Sequence, residues 1–173
     1  MEIFIEEMIK RKKTPSDYLL VVGIVTLAVF LVFLMLFVLM TIFHAFAFII
    51  FLLAVGIAYG AYFLVAAQNV EFEYSLVNTE IDVDKITNKT RRKRLTTASI
   101  RGLEAFGTRK NPDFDRYLNN SAVTKIYACR EKSADDIFFM VYNQSEKKIM
   151  LIFNPSEKVI DQITKRNPQK QFL

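Results

Sequence analysis

The chain has 173 residues, of which 52% are hydrophobic, and a formal net charge of +5. The charge is unevenly distributed, because residues 18–70 contain no Asp, Glu, Lys or Arg. A soluble fold does not bury a continuous uncharged run of this length, whereas a lipid bilayer does. The composition therefore excludes an ordinary globular enzyme and indicates a small membrane protein.

The uncharged stretch is long enough for two membrane crossings. A helix rises about 1.5 Å per residue, and a bilayer core about 30 Å thick needs about 20 apolar residues per crossing. We therefore predict a transmembrane helical hairpin with spans at about residues 19–40 and 45–67 and a turn near His44. Residues 14–17, Thr-Pro-Ser-Asp, form an approximate capping box, so the first helix is expected to begin there.

Two glycines in the second span, Gly56 and Gly60, form a small-xxx-small pattern that lets two helices approach closely. The partner is either the first span, near Gly23 or Ala28, or another protein chain, and we expect the first span. Neither span contains a charged residue, so the sequence offers no evident ion path and argues against a transporter or pump.

Residues 1–17 form a separate N-terminal segment in this interpretation. Its mixture of apolar, acidic and basic residues predicts a short amphipathic helix on the membrane surface, with a frayed terminus as the alternative. The basic cluster at residues 10–13 lies just before the first span and therefore favours a cytoplasmic N-terminus in a cell membrane. Because two spans return the chain to the same side, the C-terminus is also expected in the cytoplasm.

The segment of residues 70–173 changes to an alternation of polar and apolar residues, which is typical of β-strands. A C-terminal helix is expected at about residues 155–166, with Asn154 as its cap and Pro155 at the first helical position. The predicted strands cover residues 71–76, 81–86, 92–106, 123–130, 137–142 and 148–153.

The hairpin is followed by several short motifs, which are Glu73-Tyr74-Ser75-Leu76, Ile81-Asp82-Val83-Asp84-Lys85-Ile86, Arg91-Arg92-Lys93-Arg94, and Asn154-Pro155-Ser156-Glu157 with Ile163. This layout resembles small uncharacterised bacterial membrane proteins that bear a bacterial PH-like domain. The resemblance covers essentially the whole chain and implies an α+β membrane protein, in which the hairpin is followed by a PH-like antiparallel β-roll with a C-terminal helix. It also implies a bacterial cell membrane, but it carries over no active site.

The densest cluster of positive charge consists of Lys89, Arg91, Arg92, Lys93 and Arg94. Such cations attract anionic lipid headgroups, by about 1 kcal/mol each at the surface, or nucleic-acid phosphates. The aromatic residues are not interleaved with this run and no recognition motif matches, which argues against nucleic acid. Three interpretations remain open: a solvated turn and strand start, contact with an anionic membrane surface, or contact with a protein partner.

The sequence indicates a binding role rather than catalysis. It contains one His and one Cys, far apart, so neither a Cys–His pair nor a zinc cluster is expected. Asp82 and Asp84 share one strand face and are expected to be solvated, and the spacing of a calcium loop is absent. We therefore expect no cofactor, no metal and no enzymatic activity.

The function expected from the sequence is that of an integral membrane protein displaying a cytoplasmic PH-like interaction domain. Its expected partners are the lipid bilayer and either an anionic membrane surface or another membrane protein, including a second copy of the chain. The alternative is an accessory subunit of a larger membrane transport or enzyme complex, which would dock through Gly56 and Gly60.

Overall fold

The computed structural model describes residues 4–41 and 47–167, and the chain divides into two compact units. The hairpin unit comprises residues 13–69 and contains two helices. The β-unit is discontinuous in sequence, and its described part consists of residues 4–12 and 70–167. The elements in chain order are β1 (Phe4–Lys10), α1 (Pro15–Thr41), α2 (Ala47–Ala66), β2 (Val70–Val77), β3 (Glu80–Thr87), β4 (Arg91–Ser99), β5 (Ala105–Thr108), α3 (Pro112–Leu118), β6 (Val123–Ala128), β7 (Phe138–Gln144), β8 (Lys147–Phe153) and α4 (Glu157–Arg166).

The hairpin unit consists of two helices that are each long and apolar enough to cross a membrane, and they pack against each other. The predicted capping box of α1 is confirmed. The backbone N–H of Thr14 donates to the Asp17 carboxylate at 2.8 Å, and the backbone N–H of Asp17 donates to the Thr14 hydroxyl at 3.4 Å. The turn that we predicted near His44 lies outside the described residues.

The first sheet of the β-unit has the strand order β1-β2-β3-β4, and every neighbouring pair is antiparallel. Alternate residues point to opposite faces of such a sheet. Tyr74, Leu76, Ile81 and Val83 are almost completely buried and form the inner face. The β2 and β3 sequences therefore supply one side of the main core.

The N-terminal segment is a strand of this sheet. β1 pairs with β2 residue by residue, from Phe4 opposite Val77 to Lys10 opposite Glu71. The predicted amphipathic surface helix is therefore wrong for this segment. The seven residues of β1 carry no clear period of their own, and their partner strand lies beyond both helices in sequence, so local pattern alone does not identify the pairing.

The second sheet has the strand order β5-β7-β8-β6, and it is not wholly antiparallel as expected, because β6 runs parallel to β8. The single strand predicted over residues 92–106 is also wrong. The chain leaves the first sheet after β4 and enters the second sheet at β5, with Ile100 and Leu103 fully buried at the crossing. Gly102 lies in this crossing with a φ of +70°, a conformation that glycine adopts without strain.

Two helices cover hydrophobic clusters of the β-unit. Val159 and Ile163 of α4 belong to the main cluster, which also contains residues of both sheets and Ile9 of β1. Phe114 and Tyr117 of α3 belong to a second cluster, which contains side chains of β7 and β8. The second sheet is therefore packed on both of its faces.

The start of α4 is held by β1. Ser156 is the N-cap residue, not Asn154 as expected, and it makes no side-chain cap to its own helix. Instead the Glu7 carboxylate accepts hydrogen bonds from the Ser156 backbone N–H, at 3.0 Å, and from the Ser156 hydroxyl. The Asn154 amide accepts from the backbone N–H of Arg130 at 2.9 Å, so it links two loops rather than capping a helix.

The position of β1 in the sheet leads to a mutational prediction. Ile9 is 6% exposed and Met8 is 57% exposed, because neighbouring residues of a strand point to opposite faces. We expect Ile9→Ala to lower the free energy of unfolding by about 3 kcal/mol, and Met8→Ala to change it by less than about 0.5 kcal/mol. Chemical unfolding of the full-length protein in detergent measures both values. Equal effects of the two substitutions would contradict the strand assignment.

Candidate functional site

The candidate site lies on the outer face of the first sheet, which is the face that points away from the core. The register aligns the side chains of this face in rows that cross all four strands. One row contains Met8, Glu73, Asp84 and Arg94, and the next contains Lys10, Glu71, Ile86 and Arg92.

Three carboxylates on the outer face are buried, although the face has exposed residues at its edges. Glu71, Glu73 and Asp84 are 8%, 4% and 5% exposed, respectively. A buried carboxylate without a partner is strongly destabilising, so these groups need neighbouring cations. The prediction that Asp84 is solvated is therefore wrong.

Two arginines of β4 supply much of this neutralisation. Arg94 Nε donates to Asp84 Oδ1 at 2.5 Å, and Arg94 Nη1 lies 2.8 Å from Asp82 Oδ1. Arg92 Nη2 donates to Glu73 Oε2 at 2.5 Å. Charge-assisted hydrogen bonds of this kind are stronger than neutral ones. Both arginines therefore help to hold β2, β3 and β4 together.

Burial remains the largest influence on Glu73. It raises the pKa of the Glu73 carboxyl above its usual range, while Arg92 acts to lower the same pKa. The nearby carboxylates of Glu6 and Asp84 raise it further, because negative charges disfavour one another. The outer face thus concentrates several acidic groups around two arginines.

The structure does not bring the five predicted basic residues together. Arg92 and Arg94 point to the outer face, whereas the register places Lys93 opposite Lys85, on the other face of the strands. Lys89 lies in the exposed turn between β3 and β4, and Arg91 lies exposed at the start of β4. The run is therefore divided between structural ion pairs and solvent-facing positions.

A groove of about 470 Å³ lies on the outer face, next to the turn between β3 and β4. Of the predicted basic residues, it includes only Lys89 and Arg92. The sequence interpretation missed Lys10 as a site residue because it assigned that segment to a helix outside the β-domain. The lining residues of this outer-face groove are Met8, Lys10, Glu71, Ile86, Lys89, Thr90 and Arg92.

The two glycines of α2 do not pack against α1. A Cβ atom built at Gly56 or Gly60 would meet no heavy atom within 4 Å among the residues described. The prediction that they pack against the first span is therefore wrong. The buried residues of α2 are instead Ala54 and Ala66.

The described residues hold no group of three or more His, Cys, Asp or Glu side chains that could bind a metal ion. Cys129 is buried, and burial raises the pKa of its thiol. Because the thiolate is the reactive form of cysteine, this shift keeps Cys129 a weak nucleophile at neutral pH.

The ion pairs divide the basic run into structural and surface residues, which can be separated by mutation. We expect Arg94→Ala to lower the free energy of unfolding by about 2 kcal/mol, because it removes the hydrogen bond to the buried Asp84. Lys93→Ala, at the neighbouring exposed position, should change it by less than about 0.5 kcal/mol. Thermal unfolding of the two full-length variants checks this difference. Equal stability of both variants would show that Arg94 is only a surface residue.

A comparison with protein-family models identifies the family to which these features belong. The model described as a bacterial PH-like domain (DUF6106) matches residues 1–173, so the match includes the hairpin as well as the β-unit. Comparisons with curated proteins and with solved structures find no significant match. The resemblance to bacterial PH-like domain proteins is confirmed. The chain therefore belongs to the bacterial PH-like domain family DUF6106.

Proposed function

We propose that this chain is an integral membrane protein that anchors a PH-like interaction domain at the cytoplasmic side of a bacterial membrane. The observation that carries the proposal is the apolar surface of the two helices. Residues such as Leu19, Phe33 and Phe48 are 77%, 71% and 73% exposed. The most apolar 18-residue windows of α1 and α2 have mean hydropathies of 3.1 and 2.4.

The size of this surface favours a bilayer over water. About 20 large apolar side chains of the two helices are exposed, and full burial of one such side chain contributes about 1.5–3 kcal/mol. Their transfer from water to hydrocarbon therefore contributes tens of kcal/mol, whereas folded domains are stable by only about 5–15 kcal/mol. A lipid bilayer is therefore the environment that best accounts for the exposed apolar side chains of these helices.

The pairing of β1 with β2 supports a double crossing. β1 precedes α1 and β2 follows α2, and their backbones form one continuous ladder. Two strands cannot pair through a bilayer, so the two ends of the hairpin unit belong on the same side of the membrane. The basic residues 10–13 favour the cytoplasmic side.

The family supports an interaction domain as the role of the β-unit. The ion pairs of Arg92 and Arg94 with buried carboxylates weaken the idea that the whole basic run contacts lipid. We therefore assign the domain to non-enzymatic binding, in which the hairpin fixes its position and its outer face recognises a ligand or partner.

A second candidate function is that of an accessory subunit of a larger membrane complex. The open space around Gly56 and Gly60 favours this alternative, because small residues on a lipid-facing surface let a helix of another chain approach closely. Stoichiometric copurification of another membrane protein after mild detergent extraction would support it.

The proposed orientation predicts which residues a membrane-impermeant maleimide can reach. We start from Cys129→Ala, which removes the only native thiol, and add Glu146→Cys in the exposed turn between β7 and β8. In intact cells, we expect no labelling of this variant, and we expect full labelling after the cells are permeabilised. The measurement is the mass shift of the protein.

The control is His44→Cys in the same background, since residue 44 lies between the two helices in sequence. This variant should be labelled in intact cells. Labelling of Glu146→Cys before permeabilisation, or recovery of the unmodified chain in the aqueous fraction without detergent, would contradict the proposed function.

A further inference from the structure

We propose that the outer-face groove binds the phosphodiester of an anionic phospholipid and that Lys89 supplies the charge that attracts it. The inference rests on the proposed membrane anchoring, and it adds the chemical class of the ligand and the residues that hold it. A free phosphate ion shares the same chemistry, and inorganic phosphate is therefore titrated as a separate arm of the experiment.

The ion pairs around the groove leave one lysine for a ligand with a negative charge. Lys10 Nζ lies 3.7 Å from Glu71 Oε1. Arg92 lies near two carboxylates, 2.5 Å from Glu73 Oε2 and 3.8 Å from Asp84 Oδ2, so both cations are paired. Lys89 forms no ion pair with any described residue. One unpaired cation suits a ligand with a single negative charge, such as a phosphodiester, whereas a multiply charged phosphate ester would need more cations.

The groove also offers the donors and the apolar surface that such a ligand needs. Lysine has three N–H donors and arginine has five, so Lys10 and Arg92 can each donate to a phosphate oxygen while keeping their carboxylate partners. Thr90 contributes a hydroxyl group, and Met8 and Ile86 form the apolar part of the lining. A volume of about 470 Å³ is within the range of small-molecule sites.

Chain length permits the groove to reach lipid headgroups. Lys10 precedes Pro15, the first residue of α1, by only five residues, and five extended residues span at most about 18 Å. A lipid in the same membrane is also present at a high effective concentration. A site of modest intrinsic affinity would therefore be occupied.

The backbone at Lys89 provides a variant that removes the charge without harming the fold. Lys89 has a φ of +58°, a left-handed conformation in which a side chain is strained and glycine is not. Lys89→Gly should therefore relax the turn. Glu146 has a φ of +66° in the turn between β7 and β8, so Glu146→Gly causes the same backbone relaxation away from the groove.

The test uses the full-length protein in zwitterionic detergent, with bound lipid counted by native mass spectrometry. Phosphatidylglycerol, phosphatidylcholine and inorganic phosphate are titrated separately. We expect phosphatidylglycerol to bind more tightly than phosphatidylcholine, and Lys89→Gly to weaken phosphatidylglycerol binding about 5-fold, which corresponds to about 1 kcal/mol for one cation. Glu146→Gly and Lys158→Gln, an exposed lysine of α4, should bind like the wild type.

Three results would overturn the inference. These are equal binding of phosphatidylglycerol and phosphatidylcholine, unchanged binding by Lys89→Gly, and competition by inorganic phosphate at the same concentration as the lipid, which would assign the groove to free phosphate. If any of these occurs while the maleimide experiment places the chain in the membrane, the lipid site fails and the proposed function stands.

Discussion

The pairing of β1 with β2 is the constraint on which the rest of this structure depends. The two strands are neighbours in the sheet, yet the whole hairpin unit separates them in sequence. In place of the short turn that normally joins antiparallel neighbours, the chain inserts two apolar helices. Glu7 of β1 also holds the start of α4, so the strand before the hairpin connects to the last helix of the chain. The β-unit is complete only when both parts of the chain are present.

The charged side chains of the first sheet contribute mainly to the stability of the fold and only secondarily to binding. Glu73 and Asp84 are buried on the outer face, and Arg92 and Arg94 neutralise them at 2.5 Å. Breaking such a pair costs more free energy than a surface ion pair contributes, because a buried charge is left without a partner. A dense run of basic residues in a sequence therefore does not by itself identify a binding surface. Lys89 is the member of the run that the described contacts leave for a ligand in the groove.

The sequence predicted the features that depend on local composition. The two apolar helices and the capping box at Thr14 follow from residues close together in the chain, and the family resemblance follows from the order of such local motifs. It did not predict β1 or the parallel pairing of β6 with β8, because these depend on contacts between distant segments. For the same reason it identified Lys89 and Arg92 but not Lys10, which reaches the groove only through the pairing of β1 with β2.

The most direct test of this account replaces residues 12–69 with a two-residue Asn-Gly turn, which suits antiparallel neighbours. The turn then joins Arg11 directly to Val70, whose backbone carbonyl accepts from the Arg11 N–H at 2.9 Å. Amide hydrogen exchange of the shortened protein, measured by NMR in water without detergent, then reports on β1. We expect a soluble folded domain in which the β1 amides that bond to β2 exchange as slowly as those in the centre of the sheet. A protein that is insoluble, or whose β1 amides exchange at the rate of an unfolded chain, would contradict the account.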